Sequence, residues 1–371
     1  MKKVLQSLAI VLLSISMVSA QEKPEVKIGG ALRYNFNYSS WKDHQKTKFG
    51  YDMLAFSPQV SYRGVKLNVE YRLYAEEFGA GFLRYGYVGY NFNKQDEIHI
   101  GLTQVPLGIQ KYNSHSYYLG MGYYLGIEDD YDMGVKFIHT GDKFDYQLAF
   151  FTNSEEVLFG SESESTPRRY SYDVAGRNKE VNQVNLKIVY KYGNKFKQQL
   201  GASFLYGGLY NLDTYRTGDN IAFAFHYELN YNKFDLKAQA LSYEKNPENA
   251  QGESEQVVSL AAYNLYYDAA AKATLYTLGI GYSIPVKWKP ISDIQIYNDF
   301  AYLDKNVSAF EESISNTTGI MVHAGGVYAY IEYINARNQP WFGPEWTNAF
   351  STGDPNTDWH YRFNINIGYY F

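Results

Sequence analysis

The sequence predicts an all-β fold: a transmembrane antiparallel β-barrel of about 16 strands with both termini periplasmic. Three features of the 371 residues carry that expectation. They are a cleavable export signal, segments that alternate apolar and polar residues with period two, and connections that are short and long by turns. The expected division is a signal peptide over 1–20 and a single barrel over 21–371.

The export signal comes first. Lys2 and Lys3 form a positive start, Val4 to Val18 a mostly apolar core, and Val18-Ser19-Ala20 the small residues of a cleavage site. The apolar stretch is short for a bilayer span and includes Gln6, Ser7, Ser14 and Ser16, so cleavage is expected rather than anchoring. Cleavage would remove two lysines and no acids, moving the formal charge from −5 to −7. A mildly acidic chain lacks the basic patch of a nucleic-acid binder. Cysteine is absent, which excludes disulfides, thiolate metal sites and thiol catalysis.

Composition narrows the class. The chain holds 39 Tyr, 22 Phe and 5 Trp, yet its mean hydropathy is negative. After residue 20 no run approaches the ~20 apolar residues of a membrane helix. Aromatic residues in an exported, polar chain suit a barrel whose strands face lipid on one side and water on the other, with aromatic girdles at both interfaces. A soluble β-sandwich is the competing reading of composition alone.

Alternation supports the barrel. Trp359, Tyr361, Phe363, Ile365, Ile367, Tyr369 and Phe371 share one face of the last segment, and Arg362, Asn364 and Asn366 the other. A helix would scatter these residues around its surface. The first strand repeats the pattern, with Val26, Ile28, Leu32, Tyr34, Phe36 and Tyr38 opposite Lys27, Arg33, Asn35 and Asn37. Fourteen more strands are read near 50–62, 65–76, 82–92, 96–105, 131–139, 143–153, 183–192, 196–207, 220–230, 233–243, 272–285, 292–303, 317–324 and 326–335. In 82–92, Arg84 falls in phase with Val88 and Tyr90, which predicts a bulge or packing against an inward-folding loop.

The connections separate barrel from sandwich. Arg63-Gly64, Asn93 to Asp96, Thr140-Gly141-Asp142, Gly193-Asn194-Lys195, Tyr231-Asn232, Trp288 to Pro290 and Gly325-Gly326 are short, and most carry the Gly, Asn or Asp of hairpin turns. Most intervening links are long and hydrophilic: 39–49, 106–130, 154–182, 208–219, 244–271, 304–316 and 336–357. Short turns at one end and long loops at the other mark an outer-membrane barrel. A barrel of this size leaves an aqueous lumen.

Three stretches are similar to the family of phosphate-selective porins O and P among Gram-negative porins. One is Ile100-Gly101-Leu102-Thr103-Gln104-Val105-Pro106-Leu107-Gly108, which resembles that family's Gly-x-x-x-x-Pro-Phe-Gly element with Leu107 in place of the aromatic. The others are Ile296 to Phe300 and Tyr333 to Trp341. The terminal Tyr369-Tyr370-Phe371 resembles the aromatic signal read by barrel assembly machinery, with Tyr369 and Phe371 as its candidates. The resemblance implies a homotrimer whose third external loop, here 106–130, folds inward to constrict the pore. It does not extend to phosphate. The inward basics (Lys27, Arg33, Lys66, Arg72, Lys136, Lys187, Lys191, Lys237, Arg362) are interleaved with Glu70, Asp132, Glu228, Asp235, Asp293 and Asp299.

The constriction candidates are Lys111, His115, Tyr117, Tyr118, Tyr123 and Tyr124 on the loop, with Arg33, Lys66, Arg72, Lys136, Asp299 and Arg362 on the wall. The tyrosines either filter solutes or pack the loop against the barrel. Glu128, Asp129, Asp130 and Asp132 could hold Ca²⁺, but the EF-hand glycine is missing and a solvated acidic stretch is the expectation. Ser161 to Ser165 with Arg168-Arg169 reads as an exposed, mobile loop. His115 between Ser114 and Ser116 lacks a Gly-x-Ser-x-Gly elbow, so no enzyme, cofactor or metal is expected. The functional expectation is passive diffusion of small hydrophilic solutes or ions, with outer-membrane lipids around the barrel. An adhesive barrel using loops 154–182 and 244–271 is the alternative from another class. A fatty-acid channel is disfavoured because the first strand leaves too few residues for an N-terminal plug.

Overall fold

The computed structural model describes residues 23–110, 112–156 and 165–371. The export segment 1–20, Lys111 and 157–164 lie outside the described residues. In chain order the strands are β1 (Glu25–Ser39), β2 (Thr47–Tyr62), β3 (Val65–Leu73), β4 (Gly81–Asn91), β5 (Asp96–Gln104), β6 (Tyr131–Thr140) and β7 (Phe144–Asn153). There follow β8 (Asp173–Val174), β9 (Asn178–Tyr192), β10 (Lys197–Asn211), β11 (Thr217–Tyr231), β12 (Phe234–Asn246), β13 (Val257–Ala262) and β14 (Leu265–Ala270). The chain ends with β15 (Lys272–Trp288), β16 (Ile291–Lys305), β17 (Ser313–Ala324), β18 (Val327–Arg337) and β19 (His360–Tyr370).

Sixteen of these strands close into one antiparallel barrel in sequence order. Closure is made by β1 on β19, in register from Ala31 opposite Tyr370 to Ser39 opposite Arg362. No edge is left over, so every strand ladder is satisfied inside the barrel wall. The period-two pattern explains the two faces. On β9, Val184, Leu186, Ile188 and Tyr190 are exposed outward, while Asn185, Lys187 and Val189 are buried inward. Phe196 and Tyr231 stack at 4.1 Å near the short-turn end, where Phe92, Phe144 and Trp288 are also exposed. That aromatic rim, over an apolar outer band, matches a surface that meets lipid. No helix of the described residues is long and apolar enough to cross a membrane.

The weakest predicted strand behaves as its sequence required. The β3–β4 register shifts between Glu70 and Tyr71, so that Tyr85 pairs with Glu70 and Leu83 with Tyr71. Arg84 is the extra residue. The bulge turns it inward and restores Val88 and Tyr90 to the outer face.

Three expectations need correction. Segment 208–219 is mostly strand: β10 and β11 stay paired to Tyr210 opposite Thr217. Its Gly208 and Gly218 resemble turn residues, but Gly218 serves close approach, since a Cβ there would lie 1.8 Å from the Asn246 carbonyl oxygen. Segments 154–182 and 244–271 are also more than hydrophilic loops. They supply β8, β13 and β14, a small separate sheet, with Tyr170, Tyr172, Val174, Val258, Leu260 and Tyr267 in the hydrophobic core. Arg169, expected on an exposed loop, is buried and bound to Asp173 at 2.7 Å. Ser165 is buried too, whereas Arg168 is exposed.

The third correction concerns the lumen. It is not simply aqueous, because a hydrophobic core lies inside it. Loop residues pack there against inward side chains such as Leu209, Leu241, Leu275 and Leu303. The long loops carry apolar side chains, and packing them inside the barrel removes that surface from water.

Candidate functional site: a lumen narrowed by an inward loop

Segment 105–130 leaves β5, crosses the lumen and returns to β6. Its ends are joined where the Val105 amide donates to the Asp130 carbonyl at 2.9 Å. Anchors around the wall fix its path. The Gly108 amide donates to Ser203 Oγ at 2.8 Å, Ile109 to Gln239 Oε1 at 2.7 Å, and Lys187 Nζ reaches the Gly108 carbonyl at 2.6 Å. Gly108 has φ +58°, and a Cβ there would lie 2.2 Å from Gln239 Oε1. That explains the glycine of the Pro106-Leu107-Gly108 element.

Further along, the amides of His115 and Ser116 donate to Asp299 Oδ2 at 2.8 and 2.9 Å. The His115 ring is clamped between Asp299, at 2.7 Å from Nδ1, and Asp235 on Nε2. Lys237 holds the Tyr112 and Ser114 carbonyls at 3.0 and 3.2 Å. Burial opposes protonation of His115, but the hydrogen bonds to both aspartates outweigh it and raise its pKa above the ordinary value. Tyr117 then reaches β18 and β2: its amide donates to Glu332 at 2.7 Å and its hydroxyl to Asp52 at 2.8 Å. After one helical turn, Met121–Tyr124, the loop returns past Arg84. That guanidinium binds both oxygens of Asp129 at 2.7 Å and the Tyr112 hydroxyl at 2.9 Å. Glu128, buried beside it, is pushed up to about 8, mainly by desolvation. Glu128 to Asp130 and Asp132 are therefore buried, contrary to the expected solvated stretch, because the loop folds inward and carries them with it.

Between this loop and the wall of β1–β3 a cavity of about 570 Å³ remains. Arg33, Arg72 and Arg362 lie on its wall, with Lys42 and Lys48 also lining it; the acids among its lining residues are Asp52 and Glu77. Its other side is aromatic, with Tyr117, Tyr118, Tyr123 and Tyr124 from the loop and Tyr170, Tyr172, Tyr263 and Trp341 from the other inserted segments. Arg33 pairs with Asp52 at 2.8 Å. Arg72 pairs with Glu70 at 2.7 Å and lies over the Tyr170 ring. Arg362 stands 5.1–5.3 Å from the rings of Trp41, Tyr118 and Phe342 and donates to the Tyr118 hydroxyl at 3.1 Å.

The predicted residues thus fall into two groups. Arg33, Arg72, Arg362, Tyr117, Tyr118, Tyr123 and Tyr124 line the cavity. His115 and Asp299 form the clamp behind the loop, Lys66 pairs with Glu97, and buried Lys136 donates to the Gln104 carbonyl at 2.7 Å. Lys27 pairs with Glu25 at 2.8 Å and is largely exposed. Tyr369 and Phe371 point outward, and the Phe371 backbone pairs with Gly30. Sequence reasoning missed Glu332 and Asp52 as anchors of Tyr117. Strand parity places Glu332 inward, but the β1–β2 register shift at Arg33/Tyr34 hides Asp52.

The sequence matches no protein-family model and no curated protein. The structure is similar to solved outer-membrane proteins. In-vitro folded OmpT of Vibrio cholerae, in its trimer form, aligns with TM-score 0.60 at 15% identity over 94% of this chain and 99% of that one. The outer-membrane channel DcaP of Acinetobacter baumannii aligns at 0.59 and 12% over 96% and 100%. The anion-selective porin from Comamonas acidovorans aligns at 0.59 and 11% over 94% and 100%. The shared fold is that of Gram-negative outer-membrane porins.

Proposed function

We propose that this chain is an outer-membrane porin that passes small hydrophilic solutes by diffusion and favours anions. The observation that carries the reading is the cavity between loop 105–130 and strands β1–β3, whose lining includes five basic and two acidic side chains. Among the described residues Lys42, Lys48 and Arg362, all on the cavity lining, form no ion pair with a carboxylate, so the path keeps a positive field in an acidic chain. A charged constriction sets ion preference through that field. The neighbour from Comamonas acidovorans, itself anion-selective, is consistent with this. Phosphate specificity is not part of the proposal, since Arg33, Arg72 and Arg362 are each already engaged by a carboxylate or by rings.

The rest of the reading follows the fold. The leader over 1–20 is cleaved, both termini face the periplasm beside the short turns, lipids cover the apolar band, and the assembly machinery reads Tyr369 and Phe371. The protomer assembles as a homotrimer, as the Vibrio cholerae neighbour does in its trimer form. No catalytic step is assigned. The described parts of segments 154–182 and 244–271 turn largely inward, which speaks against adhesion through them. The test is conductance and reversal potential in a planar bilayer under a salt gradient. Discrete channel steps with a reversal potential of anionic sign are expected. Absence of steps would reject the channel, and a cationic sign would reject the preference.

A further inference from the structure

We propose that Asp130, Asp132 and Asp173 bind a Ca²⁺ ion that ties the inward loop to the barrel wall and to the inserted sheet. The three come from three elements: Asp130 ends loop 105–130, Asp132 lies on β6, and Asp173 opens β8. One carboxylate oxygen of each lies within 4.8 Å of the others. Oxygens bound to one ion at Ca–O distances of about 2.3–2.6 Å have that spread.

The second observation is independent of the clustering. All three side chains are more than nine-tenths buried, and in each the Oδ1 atom is shielded from solvent and receives no hydrogen bond from the protein. Two of the Oδ2 atoms are engaged: Gln183 donates to Asp132 at 3.2 Å and Arg169 to Asp173 at 2.7 Å. Three other acids nearby do have partners. Lys245 binds Glu180 at 2.9 Å, Arg84 binds Asp129, and the amides of Tyr170 and Ser171 donate to Glu155. Three buried acceptors without a donor, on carboxylates that come within 4.8 Å of one another, depart from the usual rule for buried polar groups. A cation supplies the missing partner.

Charge and donor type identify it. Of the three carboxylates, Asp173 alone is bonded to a cation, Arg169, which leaves the charges of Asp130 and Asp132 for a divalent ion to meet. Carboxylate oxygens select hard cations. Ca²⁺ accepts irregular coordination, whereas Mg²⁺ demands a near-ideal octahedron, so Ca²⁺ suits a site where three separately folded elements converge. Water and main-chain carbonyls would complete its shell. Bound there, the ion fixes the far end of the loop opposite the His115 clamp.

The test uses full-length protein refolded in detergent without lipopolysaccharide, dialysed against EDTA and titrated with CaCl₂ by calorimetry, with thermal unfolding in parallel. One ion per chain and a rise in unfolding temperature with Ca²⁺ are expected. The double variant Asp132→Asn, Asp173→Asn should lose both the binding heat and the rise. In EDTA the double variant should unfold at a higher temperature than the wild type, because its carboxylate repulsion is gone, and Ca²⁺ should reverse that order. A wild type equally stable in EDTA and Ca²⁺, with no saturable heat, would show shared protons in place of a metal and overturn the assignment. Binding that persists in the double variant would overturn it as well.

Discussion

The two halves of the lumen are built on opposite principles. Along β9–β12 and β15–β16 the interior is packed: Leu209, Leu241, Leu275 and Leu303 are fully buried against the inserted segments. Along β1–β3 it is open, and polar side chains face the 570 Å³ cavity. The barrel wall is continuous around both. What differs is whether a loop covers it, so the strands supply the wall and the loops decide where the lumen stays open.

Removing the loop that divides the halves should give the largest effect. Deleting 112–127 is expected to raise single-channel conductance several-fold, and an unchanged value would reject the loop as the constriction. On β4, where the returning end of the loop is held, Arg84→Ala leaves Asp129 buried without its guanidinium. A loss of about 3–5 kcal/mol is expected from such a broken buried pair, read by chemical unfolding in detergent. Leu241→Ala should cost about 2–5 kcal/mol through the cavity it leaves, whereas Asn37→Ala on the open wall should change stability by less than about 0.5 kcal/mol. Equal losses at the two sites would erase the contrast.

The His115 clamp gives a pH-dependent version. With its folded pKa raised, the clamp's contribution is fully present below the unfolded value near 6.5 and is lost as pH rises through the folded value. Wild type should exceed His115→Gln in stability by about 1.5–3 kcal/mol at pH 5, and the gap should narrow at alkaline pH. A gap that widens with pH would contradict the clamp. The smallest effect belongs to the open half, where Lys48→Ala should shift the reversal potential toward zero without altering stability.

Most of the barrel was legible in the sequence because each strand has two faces in different solvents, and alternation records that directly. All sixteen wall strands were anticipated, including the bulge that Arg84 required. The packed half was hidden. Tyr170, Tyr172 and Tyr267 lie in loops rich in polar residues, and nothing in local spacing tells a loop that turns inward from one that stays outside. The site was half legible for the same reason. Parity finds Arg33, Arg72 and Arg362, but only folding brings them opposite Tyr117 and Tyr118. The acidic run was read as solvated because sequence shows its charge and not its depth, and the partner Asp173 lies about forty residues away.

Because the chain contains no cysteine, a single introduced thiol reports on each half without background. Asn35→Cys, on the cavity wall, and Ala224→Cys, buried in the packed half, would each be exposed to a charged, water-soluble thiol reagent during single-channel recording. Modification of Asn35→Cys is expected to reduce the current in steps while Ala224→Cys carries on unaffected. Block at Ala224→Cys with none at a fully modified Asn35→Cys would place the path in the other half and contradict the account.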